Sequence, residues 1–332
     1  MILSLTEDSV ATHLRERGVL APDQAAQVAN LPGGVSSATF LVTTGADRWV
    51  VKQPLPYLAV ADVWPARQER AGVEAAAIHL LERLTPDHLP RLLDYDPERH
   101  VIVMTAAPAS WSEWRMRLLA GTVAREAGAT LGRVLGTWHA ATRTDTEALA
   151  EFADLAGFLE LRGDPYHRTV AARRPDLAAP VTACLDELVT RQVCVVHGDF
   201  SPKNVLIGAD AGSRGLWVLD FEVAHAGNPV FDVAFLLHHL VMKAVHVAGA
   251  GAALHACAQA FVDGYAAAGG LATEESSVVR HTGALLLARV HGKSPTAYLT
   301  PPERDRVSAL GARAVRDELA GGVDGLFDQA GW

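Results

Sequence analysis

Three polar residues at fixed spacing constrain this chain more than any other feature. Val195–Ile207 reads Val-Val-His-Gly-Asp-Phe-Ser-Pro-Lys-Asn-Val-Leu-Ile, and Leu219-Asp220-Phe221-Glu222 follows. Asp199 and Asn204 are five apart, and Asp220 ends the apolar run Leu216–Leu219. Those residue types in that order suit phosphoryl transfer. One carboxylate orients a hydroxyl and takes its proton, while an amide and a second carboxylate hold magnesium on nucleotide phosphates. Taken singly, Asp199 reads as an Asx-turn, Asn204 as a loop residue and Asp220 as a solvated strand end. The spaced set meets several independent requirements together.

The segment resembles the catalytic loop of the aminoglycoside phosphotransferase and choline kinase superfamily. That superfamily typically has His-Gly-Asp where protein kinases have His-Arg-Asp, and this chain has His197-Gly198-Asp199. Phe221-Glu222 replaces the Phe-Gly of a protein kinase, Ser201 replaces its lysine, and no Ala-Pro-Glu follows Asp220. The resemblance implies an α+β, bilobal protein-kinase-like fold. A small antiparallel-sheet lobe over residues 1–108 would bind the nucleotide. A larger, mainly helical lobe over 109–332 would carry the catalytic loop and the acceptor pocket. It further implies Asp199 as the catalytic base, Asn204 and Asp220 as magnesium ligands, ATP or GTP as donor and a small-molecule alcohol as acceptor.

The first hundred residues read as the front of such a lobe. Leu41–Thr44 and Arg48–Lys52 are strands around the turn Gly45-Ala46-Asp47. Gly33-Gly34, with Ser36 and Ser37, forms a candidate phosphate-covering loop, because glycine lets the backbone approach and the serines donate hydrogen bonds. Two adjacent glycines alone mean only a turn; the context of a following strand lysine gives them weight. Lys52 stands where the family places the lysine on the α- and β-phosphates, and Glu74 is its expected partner, with Glu69 the alternative. Glu74 lies in Glu69–Leu84, where Val73, Ala77, Leu80, Leu81 and Leu84 recur at helical spacing. Leu89–Asp94 and His100–Met104 read as further strands, and Thr105–Pro108 as a hinge where adenine would meet Met104 and Ala106. Thr6 caps an opening helix, and Pro22-Asp23 starts another short helix reaching about Asn30.

Val51-Lys52-Gln53, Leu55-Pro56-Tyr57, Trp64-Pro65 and Glu74 resemble the corresponding stretch of methylthioribose kinases. Those enzymes lack the loop asparagine and read Asp-Pro-Glu at the metal motif, where this chain has Asn204 and Asp220-Phe221-Glu222. The leading acceptor is therefore a sugar-bearing antibiotic of aminoglycoside or nucleoside type, or a related sugar. A methylthioribose- or choline-type metabolic kinase is the alternative. A choline site needs an aromatic cage, and aromatic residues are only 6% of the chain. A non-catalytic pseudokinase is the rival from another class, opposed by the full set Lys52, Glu74, Asp199, Asn204 and Asp220.

Beyond Ser110 helical patterns dominate: Thr122–Thr142, Ala148–Leu161, Pro175–Val193, Phe231–Val245, Glu274–His291 and Pro302–Ala320, with a Gly- and Asp-rich tail over Gly321–Trp332 expected to be partly mobile. His238 and His239 are expected on different helix faces, with no thiol or carboxylate cluster to complete a zinc site. Phe158–Arg168 and Arg289–Tyr298 are dense in polar and aromatic groups; Tyr166, Arg289 and Lys293, together with Glu222, are candidate acceptor contacts, although solvated surface loops would look the same. A net charge of −9 argues against a nucleic-acid partner. No run of 18 apolar residues suggests a membrane span, and the N-terminus lacks a signal-peptide core. Three cysteines without paired spacing fit a reducing, cytoplasmic setting.

Overall fold

The computed structural model describes residues 4–31, 37–45, 47–57, 66–209, 215–271 and 274–331. Gly33, Gly34 and Ser36, the centre of the expected phosphate loop, and Trp64-Pro65 lie outside the described residues. The chain divides into two compact units, Met1–Ala109 with Asp220–Val223, and Ser110–Leu219 with Ala224–Trp332. The division is thus not a single cut: the four residues Asp220–Val223 belong with the N-terminal unit.

The first unit is an antiparallel sheet in the order β1-β2-β3-β5-β4, built from Gln27–Asn30, Ser37–Thr43, Arg48–Pro54, Leu92–Asp96 (β4) and Val101–Thr105 (β5). The helix α1 (Glu7–Glu16) carries Val10 and Leu14 onto Phe40, Val42, Val51, Val101 and Val103, which form one buried cluster. Alternation puts those strand residues on one face. The register sets Lys52 opposite both Thr39 and Ile102, in the middle of the sheet. The helix α2 (Arg70–Glu82) buries Glu74 among Ala71, Ala75, Ala77 and Ile78. One expectation fails here. The short helix from Pro22 to Asn30 is not formed; Gln27–Asn30 is a strand paired with β2, Gln27 opposite Thr43. A segment this short cannot hold a helix unaided, whereas an open sheet edge offers backbone partners at once.

The second unit is helical around short strands. Its elements are β6 (Ser112–Glu113), α3 (Trp114–Leu119), α4 (Arg125–Thr142), α5 (Thr146–Glu151), α6 (Ala156–Phe158), a π-helix Leu159–Arg168, α7 (Thr169–Arg173) and α8 (Ala178–Thr190). Then come β7 (Cys194–Val196), β8 (Val205–Ile207), β9 (Leu216–Val218) and β10 (His225–Gly227). The helices α9 (Val230–His246), α10 (Gly251–Ala267), α11 (Glu275–His291), α12 (Pro301–Val315) and α13 (Gly322–Asp328) follow. One expectation needs correction. Ala148–Leu161 is not one helix: the chain turns after Glu151 and re-enters as α6 and the wide π-helix, which accommodates Pro165. The Gly- and Asp-rich tail forms α13, where Val323, Leu326 and Phe327 share a helical face and are buried.

The helices α4 and α10 touch backbone to backbone. A Cβ on Gly132 would lie 2.1 Å from the Phe261 carbonyl oxygen, and one on Gly264 would lie 2.4 Å from that of Ala129. Against this pair lies the device that fixes the loop after β7. Asp232, in the first turn of α9, is fully buried and accepts from the His197 N–H at 2.6 Å and the Gly198 N–H at 2.9 Å. His139 Nε2 of α4 lies 3.2 Å from the same carboxylate. A carboxylate only accepts, so Nε2 carries the proton and Nδ1 accepts from the Tyr265 hydroxyl at 3.0 Å. Burial alone would raise the Asp232 carboxyl, but the His139 and backbone donors outweigh it and hold it low.

Two stability outcomes follow. Gly132→Ala should cost about 1–3 kcal/mol by forcing α4 and α10 apart, read as a lowered urea midpoint. Asp232→Asn turns one acceptor into a donor facing buried donors and should cost about 2–4 kcal/mol; unchanged thermal unfolding would contradict the brace.

Candidate active site

The loop Val196–Asn204 is shaped by that brace. Gly198 has φ +76°, a conformation open to glycine at little cost, which gives His-Gly-Asp its physical sense. His197 Nε2 donates to the Leu219 carbonyl at 3.0 Å, so Nδ1 is the acceptor for the Asp199 N–H at 3.1 Å. The Asn204 amide nitrogen donates to Asp199 Oδ2 at 2.9 Å and to the Asp199 carbonyl at 3.0 Å. The five-residue spacing therefore closes a turn in which the asparagine commits its N–H groups to Asp199. The amide oxygen is the atom left to meet a cation.

Sequence reasoning missed the second partner of Asp199. Arg162, on the π-helix, lies 2.9 Å from Asp199 Oδ2 and donates through Nε to the Gly198 carbonyl at 3.0 Å. Its guanidinium carbon lies 5.6 Å from the centres of the Tyr166 and Phe235 rings, which hold it by cation–π attraction. A visible signal existed: Arg162 follows Leu161 and stands four residues before Tyr166 in the polar and aromatic segment Phe158–Arg168. Asp232 had one too, as a lone carboxylate in Val-Phe-Asp-Val-Ala-Phe.

Within the first unit the predicted Lys52–Glu74 pair forms, Nζ to Oε2 at 2.7 Å, and Glu69 is not the partner. Lys52 Nζ also makes a close ion pair with Asp220 and lies 4.0 Å from Glu222. Arg70, unforeseen, donates from Nε to Glu222 at 3.0 Å and from NH2 to the Leu55 carbonyl at 2.9 Å. Glu222 is thus tied to Arg70 and Lys52. Asp220 has φ +69°, in the left-handed region that Asp tolerates better than most. Burial would push Lys52 down, but Asp220, Glu74 and Glu222 outweigh it and hold the ammonium charged. Burial raises the Glu74 carboxyl to about 7, opposed by Lys52 and helped by Asp220 and Glu222.

Carboxylate oxygens of Glu74, Asp220 and Glu222 lie within 4.8 Å of one another. Three carboxylates face two cations, Lys52 and Arg70, so the ionised cluster carries one net negative charge. Hard oxygen donors with residual negative charge fit a divalent cation of the magnesium type.

Ser37 opens β2, and its buried hydroxyl has no hydrogen-bond partner among the described residues. Met104 is buried in β5 opposite Val50 and Leu92. The Ala106 N–H donates to the Arg48 carbonyl at 3.0 Å, extending the β3–β5 ladder, so that amide is already committed. The Tyr166 hydroxyl accepts from Arg289 at 3.2 Å, while Lys293 is exposed and docks only its backbone N–H on Pro165. His238 and His239 do not diverge: their ring centres are 4.1 Å apart in α9, where burial holds both well below the usual imidazole range.

Known proteins share both sequence and fold with this chain. A methylthioribose kinase from Enterobacter sp. (strain 638) is 26% identical over 227 residues, 60% of this chain and 55% of that kinase. The chain therefore matches little more than half the length of that relative. The fold is similar to a choline/ethanolamine kinase family protein from Mesorhizobium loti, at a TM-score of 0.55 and 15% identity over 93% of this chain and 99% of that one. It is also similar to an amicoumacin kinase solved with AMP-PNP and calcium, at a TM-score of 0.56 and 12% identity over 93% and 94% of the two chains. Residues 27–274 match the family model of the phosphotransferase enzyme family. With three quarters of its length inside that match, including Lys52, Asp199, Asn204 and Asp220, the chain belongs to the phosphotransferase enzyme family.

Proposed function

We propose that this protein transfers the γ-phosphate of ATP or GTP to a hydroxyl of a small molecule of the sugar type. The observation that carries the reading is the Lys52 ion pair with both Glu74 and Asp220, groups far apart in sequence that the fold brings together around one buried ammonium. A buried lysine held charged among carboxylates is stable as a structural unit, yet it is also the arrangement from which an ammonium can turn to a nucleotide phosphate.

The roles divide by chemistry. Asp199 takes the proton of the attacking hydroxyl, with Arg162 and Asn204 fixing its carboxylate so that little orientation is lost on reaching the transition state. Lys52, oriented by Glu74, neutralises the donor phosphates. Asp220, Asn204 and Glu222 would hold magnesium, which supplies charge neutralisation on the phosphates when bound. Ser37 and the preceding Gly33–Ser36 segment would cover those phosphates. The base would lie against the Met104–Ala106 segment through groups other than the Ala106 N–H.

Similarity in sequence to methylthioribose kinases favours a sugar as acceptor. Among the described residues no helix is long and apolar enough to cross a membrane. Cys184, Cys194 and Cys257 are buried free thiols, Cys184 and Cys257 pushed up to about 12 by burial, which suits a reducing cytoplasm.

Two measurements test the reading. Asp199→Asn should reduce phosphate transfer at least about a hundredfold in a coupled ADP-release assay while nucleotide affinity stays near normal; near-normal turnover would remove the base role. Calorimetry with ATP and magnesium should show Asp220→Asn losing metal-dependent affinity more severely than Asn204→Ala, roughly tenfold or more, since the carboxylate carries the charge. Equal, unchanged affinities would contradict the metal assignment, and failure of the wild type to bind nucleotide would sink the kinase reading itself.

A further inference from the structure

The wall of the second unit next to Asp199 carries positive charge that no carboxylate among the described residues pairs with. Arg162 and Asp199 neutralise each other at 2.9 Å, and Arg115 and Glu113 do so at 2.5 Å. Two cations remain. Arg289 is one side chain further from Asp199, linked through Tyr166, and its described partners are all neutral: the hydroxyls of Tyr166, Thr296 and Ser294 at 3.2, 3.1 and 3.1 Å. Lys243 is completely buried in α9, where the one carboxylate, Asp232, is committed to His139 and the His197–Gly198 backbone. Its Nζ donates to the His239 carbonyl at 3.3 Å and lies 5.6 Å from the Tyr298 ring centre, and no carboxylate is within ion-pair distance among the described residues.

Polar atoms around Lys243 are also left waiting. The Tyr298 hydroxyl and His238 Nε2 are buried without hydrogen-bond partners among the described residues. His238 and His239 are held neutral by burial and add no charge. Burial first, then Arg115 and Arg289, push the Lys243 ammonium down to about 7, with Glu113 opposing. A buried cation without a counter-ion costs stability, and an apolar residue of similar size would serve the helix better. Arg289 stays half-buried, and with Ser294 and Thr296 it can meet a ligand directly, with Lys243 behind it.

We infer that the acceptor is an anionic alcohol, one bearing a carboxylate or phosphate that docks at Arg289, with the buried Lys243 adding its field from within α9, while its hydroxyl faces Asp199. This rests on the phosphotransferase reading above and narrows it. An aminoglycoside, rich in ammonium groups, would meet like charge along this wall.

The test uses the full-length protein and matched alcohols: an uncharged polyol, the sugar acid with a carboxylate, the sugar monophosphate, and the amino sugar. Coupled ADP release should give the carboxylate or the phosphate compound a kcat/KM at least about tenfold above both others, the two anionic arms telling the sources apart. Lys243→Met, which removes a buried charge and should raise Tm, and Arg289→Gln should each cut the ratio of anionic to uncharged kcat/KM by about tenfold, mainly through KM. A preference for the polyol or amino sugar, or a ratio unmoved in both variants, would overturn the inference. If no alcohol turns over, thermal shifts decide. Stabilisation by the anionic alcohols that both variants lose supports the anion site and counts against the kinase reading. Stabilisation by ATP with magnesium, but by no anionic alcohol, overturns the anion site and leaves the kinase reading standing.

Discussion

The carboxylate of Asp232 is the interaction on which the catalytic loop depends. Buried at the start of α9, it collects the His197 and Gly198 backbone N–H groups and a proton-bearing nitrogen of His139. Three donors on one buried anion replace the water it lost, and they fix backbone and side chain together. Because the backbone is gripped at Gly198, Asp199 emerges at one angle, and Asn204 can close onto it. His197 adds a second tie to Leu219 and leaves its other nitrogen to accept from Asp199. A phosphotransferase does little covalent chemistry of its own, so a loop held this firmly is where its catalytic power would originate.

The Lys52 cluster works by a different balance. With all its groups ionised, three carboxylates and two cations leave it with one negative charge, a composition that favours a divalent cation. The Ala-rich face of α2 brings Glu74 onto the strand lysine, since larger side chains would hold the helix off the sheet. Arg70 limits that charge by pairing with Glu222, while burial and the neighbouring acids still raise the Glu74 carboxyl.

Around Arg289 and Lys243 the sign is opposite. Both cations lie in a protein of net charge −9 without a carboxylate at ion-pair distance among the described residues, so the local field there runs against the overall one. The π-helix belongs to the same logic, because its extra residue per turn is tolerated at the segment that aims Arg162 at Asp199.

The sequence by itself determined what depends on local order. The Asp199, Asn204 and Asp220 spacing was readable because a turn and a strand end impose it on neighbouring residues. The strand of Lys52 and the helix of Glu74 were readable from periods of 2 and 3.6. Tertiary structure decided the rest. The Gln27–Asn30 segment became a strand because β2 offered an edge, and a helical propensity that weak cannot compete with backbone pairing. Arg162, Arg70 and Asp232 each lie more than thirty residues from the group they hold. No local pattern encodes such a partner, because a buried charge is assigned its counter-charge only when the fold brings the two out of water together.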